Sequence, residues 1–549
     1  MAHRANATRA PRSLARKLLP LCFTALLALT AGIRQADARA PTVRVEQGTL
    51  TGLESSGVEE FLGVRYTQPP VGALRWQPPA PVPASRSTID ATKFGANCAQ
   101  NTSPWGTPST AEDCLFLNVY VPASAHHRHG WRHHLPVMLW IHGGGFIAGQ
   151  GSAYDPSPLV KQGDAIIVTI NHRLGALGLL AHPALDQEHH LIANYGLMDQ
   201  EMALKWVRQN IAGFGGDPRN VTLFGESSGG IAIYTHLVSP LSAGLFQKAI
   251  IESGAPDYIT LDVAEATGLT LAQKVGCSTG SPQQVATCLR QVPVSALLAN
   301  QAIPTGAIVD GQLLPEAPAT AIAGNRFNHV ALINGTNHYE GRLIAAFLFD
   351  LSGAPLQASG YEAALGVISN FLPGTGYPLS AIPAIMKEYA LSDYPSPDLA
   401  AAAVITDGTI ACPAHEMDKL FSRSVPLWAY QLDDDNAPEI VAPAVSFPYG
   451  ATHFSELQYL FDMAALTLPG TPALSPAQER LSHDMIGYWT AFAAASDPNA
   501  GSGTSYWQNF EPRARGPVQS LIEPAPVAET DFSRMHKCAF WRALRASFQ

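Results

Sequence analysis

Charge is scarce in this 549-residue chain: Asp, Glu, Lys and Arg make up 14 % of it, against 46 % hydrophobic residues. Nowhere do Lys and Arg gather into a basic stripe, which excludes nucleic acid and anionic membrane surfaces as natural partners. No internal repeat and no long low-complexity linker interrupts the chain, which excludes a solenoid or a string of tethered modules. Apolar runs stay short. The one near the N-terminus, residues 18–32, is too brief to span a bilayer comfortably. Cysteine is sparse, seven in all.

Around that N-terminal run stand Arg4, Arg9, Arg12, Arg16 and Lys17 on one side and Ala36-Asp37-Ala38 on the other. Basic head, apolar middle and small-x-small end predict a secretory leader cut near Ala38, and a secreted or periplasmic protein starting near Arg39. Leu19-Pro20-Leu21 before Cys22 lacks the small residue that lipid attachment requires, so no stable membrane anchor is expected. With 1–38 go six positive charges and one negative, and the formal charge moves from −10 to −15. Cys22 leaves too. The six that remain suggest disulfides in an oxidising compartment. The sequence alone leaves fifteen pairings open; short loops favour Cys98 with Cys114 and Cys277 with Cys288, leaving Cys412 for Cys538.

Residues 42–45 and 60–64 read as antiparallel strands amid Pro-rich loops. Further on, 137–141, 165–170, 221–224, 249–251, 330–333 and 427–430 are continuous apolar runs separated by helix-like stretches. Continuous rather than alternating hydrophobicity marks strands covered on both faces, and their order implies a large α/β sheet in one domain over 39–549. Residues 343–399 are helix-rich and predict an inserted cap. The tract 125–134 holds five histidines. No Cys or carboxylate joins it, and it reads as a solvated hairpin loop rather than a metal site.

Chemistry enters at Gly225-Glu226-Ser227-Ser228-Gly229. A short apolar strand precedes it and a helix-like stretch follows, the setting in which a sharp turn presents a nucleophilic serine, Ser227, at the tip of a sheet. Gly276-Cys277-Ser278-Thr279-Gly280 matches the same spacing, but it follows a helix and precedes Ser281-Pro282, so its context is wrong. A serine hydroxyl needs a base, and the base an acid that fixes its tautomer. His236, His329, His338, His415, His453, His483 and His536 all lie downstream, Glu340 and several aspartates compete as the acid, and periodicity cannot choose among them. His453 sits in a loop after the 427–430 strand, and Glu340 follows the 330–333 strand at the edge where such sheets carry their sites. His142-Gly143-Gly144-Gly145-Phe146 follows the 137–141 strand and can aim backbone N–H groups of Gly144 and Gly145, with that of Ser228, at a developing oxyanion.

Taken together, Glu112-Asp113-Cys114-Leu115-Phe116-Leu117-Asn118-Val119, the glycine loop, Asn171-His172-Arg173-Leu174-Gly175, Phe214-Gly215-Gly216-Asp217-Pro218 and the elbow resemble the type-B carboxylesterases and cholinesterase-like esterases of the α/β-hydrolase fold. The resemblance runs over nearly the whole mature chain. It implies a large, mostly parallel central sheet flanked by helices, with a small N-terminal antiparallel portion and a helical cap insertion. Position by position it implies a triad of Ser227, Glu340 and His453, an oxyanion hole of Gly144, Gly145 and Ser228, and the same three disulfides. Ser228 departs from the commoner alanine, but only its N–H is needed. Glu226 resembles the family's carboxylate near the catalytic histidine; a structural acceptor under the elbow is the other reading. His338, beside the acid, is the rival base.

The reaction expected is ester hydrolysis through an acyl-enzyme on a small-molecule ester, with no cofactor and no metal. An ordinary imidazole base predicts a rate that rises through about pH 6–7. A lipase would differ by a jump in activity on aggregated substrate, and an adhesion protein of this fold by a missing serine. Residues 301–306 carry no aromatic before Val309-Asp310-Gly311, where cholinesterase-like relatives narrow the acyl pocket. Trp105 lies near the place where those relatives hold choline by cation–π attraction, or simply covers apolar surface. The expectation is a broad esterase for uncharged esters, with choline esters disfavoured.

Overall fold

The computed structural model describes residues 40–548 except 125–133, 302–305, 370–375, 502, 512–515 and 530. The expected leader, the histidine-rich tract up to 133 and most of 301–306 lie outside the described residues.

In the first part of the chain β1 (Thr42–Val45), β2 (Gly48–Thr51), β3 (Leu53–Ser55), β4 (Val58–Arg65), β5 (Thr88–Asp90) and β6 (Phe116–Pro122) follow one another. Then come β7 (Leu135–Ile141), β8 (Ile166–Ile170), β9 (Gly216–Glu226), β10 (Lys248–Glu252), β11 (Ile259–Thr260), β12 (Ile308–Val309), β13 (Ala331–Asn337), β14 (Leu427–Leu432), β15 (Val518–Leu521) and β16 (Val527–Glu529). Eleven of them form the central sheet, in the order β16-β15-β14-β13-β10-β9-β7-β8-β6-β4-β3. From β8 through β15 every neighbour is parallel, and the two margins are antiparallel. This is the α/β-hydrolase fold, and its middle strands are the continuous apolar runs: β8 and β10 are buried at every position because helices cover both faces.

The two early strands do not pair with each other. β1 pairs with β2 in a separate sheet of three that also takes in β5, while β4 pairs with β3 and β6 in the main sheet. Two strands escape a hydrophobicity reading. In β6 Asn118 is buried but satisfied, donating to Thr169 Oγ1 at 3.0 Å and accepting from Gly63 N at 2.9 Å. In β15 the buried Gln519 and Ser520 interrupt the apolar pattern. The cap expectation coincides with four helices, Gly341–Leu348, Tyr361–Ile368, Ile382–Glu388 and Pro397–Ile405. The last passes into a π-helical turn, Thr406–Ala411, and then into the helix Cys412–Phe421. Among the described residues no helix is long and apolar enough to cross a membrane.

Three disulfides, Cys98–Cys114, Cys277–Cys288 and Cys412–Cys538, join residues 16, 11 and 126 positions apart. The last ties the start of the helix Cys412–Phe421 to that of the C-terminal helix Cys538–Ala546. Constraint of the unfolded chain grows with the loop closed, so it is worth about 5 kcal/mol against about 3 kcal/mol for the shortest. Cys412→Ala/Cys538→Ala should therefore lower the calorimetric unfolding temperature more than Cys277→Ala/Cys288→Ala. Equal drops would mean that the enclosed chain length does not set the stabilisation.

Candidate active site

The loops that matter leave the carboxyl ends of parallel strands. β9 ends at Glu226, Ser227 turns the chain at φ 56°, and the helix Ser228–Val238 begins at once. Such a backbone angle is strained for a residue with a side chain, and it persists because the surroundings force it. Ser227 N donates to Glu252 O at the end of β10 (2.9 Å). The turn also presses against the end of β7, where a Cβ on Gly225 would come within 2.6 Å of Ile141 O and one on Gly229 within 3.0 Å of Ile141 C. The spacing of glycines about Ser227 is thus a record of how closely three strand ends converge.

His453 reaches Ser227 from the loop after β14. Its Nε2 lies 2.8 Å from Ser227 Oγ, and its Nδ1 lies 2.6 Å from Glu340 Oε2. Glu340 is held in turn by the Asn337 N–H, at the end of β13, on Oε1 (2.7 Å). Ser227, Glu340 and His453 are therefore in hydrogen-bond contact. The loops that carry Glu340 and His453 are stitched together: Tyr339 N donates to Ala451 O at 2.9 Å, Thr452 Oγ1 to Tyr339 O at 3.1 Å, and Leu343 N to Thr452 Oγ1 at 2.7 Å.

His338 is two residues from Glu340 but turns elsewhere, with Nδ1 2.7 Å from Asp433 Oδ1. The other histidines are also spoken for. His236 is buried between Ser242 Oγ and Gln200 Oε1, His536 pairs with Asp407, His415 packs against Phe510 and Phe532, and His329 bonds Asn325. His483 lies on the surface beside Asp484. Ser278, in the second elbow-like stretch, lies between the helix Leu261–Lys274 and the capped helix Pro282–Gln291 and does not follow a strand.

Glu226 adds a second carboxylate, with Oε1 3.2 Å from His453 Nε2. Two residues that sequence reasoning missed complete a buried acidic shell. Glu456 accepts from Ser253 Oγ at 3.2 Å and from Asn337 Nδ2, and Glu252 accepts from Trp489 Nε1 at 2.7 Å. Only the place of Glu456, three residues after His453, hinted at it. Burial pushes Glu226 and Glu252 well up from the usual carboxylate range, and Glu456 up to about 7. Burial alone would pull the His453 imidazole down, but the charges of Glu226 and Glu340 outweigh it and raise His453 to about 9.

The glycine loop runs past Ser227 with Gly144 at φ 104° and Gly145 at φ 63°. Gln100 braces it, donating to Gly149 O and accepting from Gly149 N, both at 2.9 Å. Behind the loop His142 stacks on His172 at 4.6 Å, and burial pulls His142 down to about 3, so it stays neutral. Gly144, Gly145 and Ser228 line one cavity with Ser227 and His453, about 230 Å³ in volume. Its other walls are largely apolar: Phe146, Ile147, Ile231, Ile344, Ile410 and Trp105. Trp105 packs on Phe347 of the helix Gly341–Leu348, with ring centroids 5.2 Å apart.

The carboxylesterase family matches residues 39–541 of the chain. A pyrethroid hydrolase of Rattus norvegicus is 32 % identical over 88 % of this chain and 86 % of its own length. The para-nitrobenzyl esterase of Bacillus subtilis is 33 % identical over 83 % of this chain and 90 % of its own length. A solved PNB esterase structure superposes with a TM-score of 0.75 at 30 % identity, covering 91 % of this chain and 99 % of that one.

A methyl group at Gly143 would run into Glu226 Oε2 and lie 3.1 Å from Ser227 Cβ. Gly143→Ala should therefore displace the serine and cost about a hundredfold in turnover of a chromogenic ester, with the far-UV circular dichroism spectrum unchanged. Undiminished turnover would show that this approach does not hold Ser227 in place.

Proposed function

The chain belongs to the carboxylesterase family and is a carboxylic-ester hydrolase, and from that premise we propose that it is an exported serine esterase working through an acyl-enzyme. The observation that carries the mechanism is the unbroken contact from Ser227 Oγ through His453 to Glu340, 2.8 Å and 2.6 Å. Ser227 attacks the ester carbonyl as His453 Nε2 takes its proton. The N–H groups of Gly144, Gly145 and Ser228 receive the charge that develops on the carbonyl oxygen. His453 then returns the proton to the leaving alcohol, and water repeats the sequence on the acyl-enzyme. Glu340 fixes the tautomer, and Glu226 steadies the imidazolium as it forms. Export is supported by the leader-like N-terminus and by the three disulfides.

The substrate is an uncharged ester. Support lies in the apolar walls of the cavity, whose ionisable lining among the described residues is Glu226 and His453, both already engaged with each other. The relatives named for pyrethroids and para-nitrobenzyl esters agree with this reading. Residues 1–38 act as the leader and 39–549 as a single catalytic domain.

Ser227→Ala should lower ester turnover by about 10³-fold or more, and an organophosphate should label Ser227 alone by peptide mass spectrometry. Labelling at Ser278 would overturn the assignment. The base must be neutral to accept a proton. With His453 raised to about 9, kcat/KM should therefore climb with pH from about 7 towards 9, above the range of an ordinary imidazole. A plateau already complete at pH 7 would remove the carboxylate shell from its role. On purified enzyme an uncharged ester should be cleaved better than acetylcholine of matched acyl size. The reverse preference, lost selectively in Trp105→Ala, would replace this reading with a cholinesterase.

A further inference from the structure

A second cavity of about 250 Å³ lies beside the acid loop and shares no lining residue with the one that holds Ser227. Its walls come from three places: the loop that carries Glu340, the helix Pro397–Ile405 with its π-helical extension, and the stretch just before Cys538. Nothing in the ester chemistry uses it.

Charge divides the lining. Arg342 and Lys537 are its cations, and Asp407 is its one carboxylate. Both Asp407 oxygens are committed, Oδ1 to His536 Nδ1 and Oδ2 to the Tyr389 hydroxyl, each at 2.7 Å. Lys537 is also engaged, donating to Glu388 O at 2.6 Å and lying over Tyr389 at 4.2 Å. Arg342 is different. Its guanidinium stacks on Tyr339 at 3.4 Å and gives Nη1 to the carbonyls of Pro448 and Tyr449 at 3.1 and 3.3 Å, but among the described residues it enters no ion pair. The carboxylate whose field reaches it, Asp435, is not part of the lining. Leu399, Ala402, Ala403 and Met535 give the wall an apolar stretch, and His338, His536, Thr406 and Tyr394 also line it.

We propose that this cavity is a second ligand site for a small organic carboxylate with an apolar body, the class of compound that ester hydrolysis releases, with Arg342 as its anchor. The proposal rests on the esterase reading for the source of the ligand and for its effect on kcat. The site sits where a ligand has leverage. Arg342 is two residues after Glu340, the Gly341 N–H donates to Thr406 Oγ1 at 2.9 Å, and the acid loop is stitched to the loop of His453. A carboxylate that binds one setting of Arg342 better than another biases the position of both loops. Occupation of this site therefore lowers kcat, whereas product rebinding beside Ser227 competes with substrate and raises KM.

Isothermal titration of benzoate into the full chain, after the serine has been capped with an organophosphate, reads the second site alone. One benzoate should bind per chain, weakened at least about tenfold in Arg342→Gln. Binding should be lost in Met535→Trp, which fills the cavity from a position already 40 % exposed and so leaves the core intact. In uncapped enzyme benzoate should lower kcat at saturating ester, and Met535→Trp should abolish that effect. No binding to the capped chain, or binding that both variants leave unchanged, overturns the proposal; binding without a change in kcat strikes out the link to the acid loop. Failure of the organophosphate to cap Ser227 tells against the catalytic reading instead, and the same titration on Ser227→Ala then decides the second site by the same two variants.

Discussion

The site is organised by one buried imidazole among carboxylates. Removing acids from water is costly, and a cluster of them is tolerable only if protons, hydrogen bonds or a counter-charge make up the difference. Here Glu340 takes the Asn337 N–H, Glu456 takes Asn337 Nδ2 and Ser253 Oγ, Glu252 takes the Trp489 indole, and His453 supplies the positive partner. Glu252, Ser253, Asn337 and Glu340 sit at or just beyond the ends of β10 and β13, His453 and Glu456 come from the long loop after β14, and Trp489 from the helix Pro476–Ala495. The sheet is therefore more than a scaffold for the loops, because its parallel strands deliver donors and acceptors to one edge in register. Glu252 lies opposite Glu226 across β9 and β10 and opposite Gly335 across β10 and β13.

That arrangement sets activity and stability against each other in pH. The raised imidazolium contributes to folding below the pH at which an unfolded histidine titrates, and that contribution is lost as pH rises through about 9. On the proposed mechanism, the neutral form that acts as base is thus populated as its electrostatic support fades.

Much of the fold was legible because the middle strands are buried on both faces and read as unbroken apolar runs. Strands β6 and β15 were not, since Asn118, Gln519 and Ser520 are buried polar residues whose hydrogen bonds only the folded sheet supplies. Of the site, Ser227 was legible from its local turn alone, because strand, glycines and helix are contiguous there. The choice of His453 over His338 was not, for it depends on loops after β13 and β14 meeting at Tyr339 and Thr452. It came from resemblance rather than from any pattern in spacing. Cavity walls were the least visible, because Ile231, Ile344 and Ile410 are ordinary apolar residues until three separate elements bring them together.

Ile410 stands in the π-helical turn Thr406–Ala411, and the residue after that turn is Cys412, bonded to Cys538. Trp541 packs from the far end of the chain against Gly408 of the same turn, where an added Cβ would lie 2.6 Å from its ring. Cys538 and Trp541 are thus a brace for a wall of the cavity beside Ser227. For anyone engineering this enzyme, the C-terminus is a poor place to truncate, and a library aimed at new ester preferences has reason to include positions that never touch substrate.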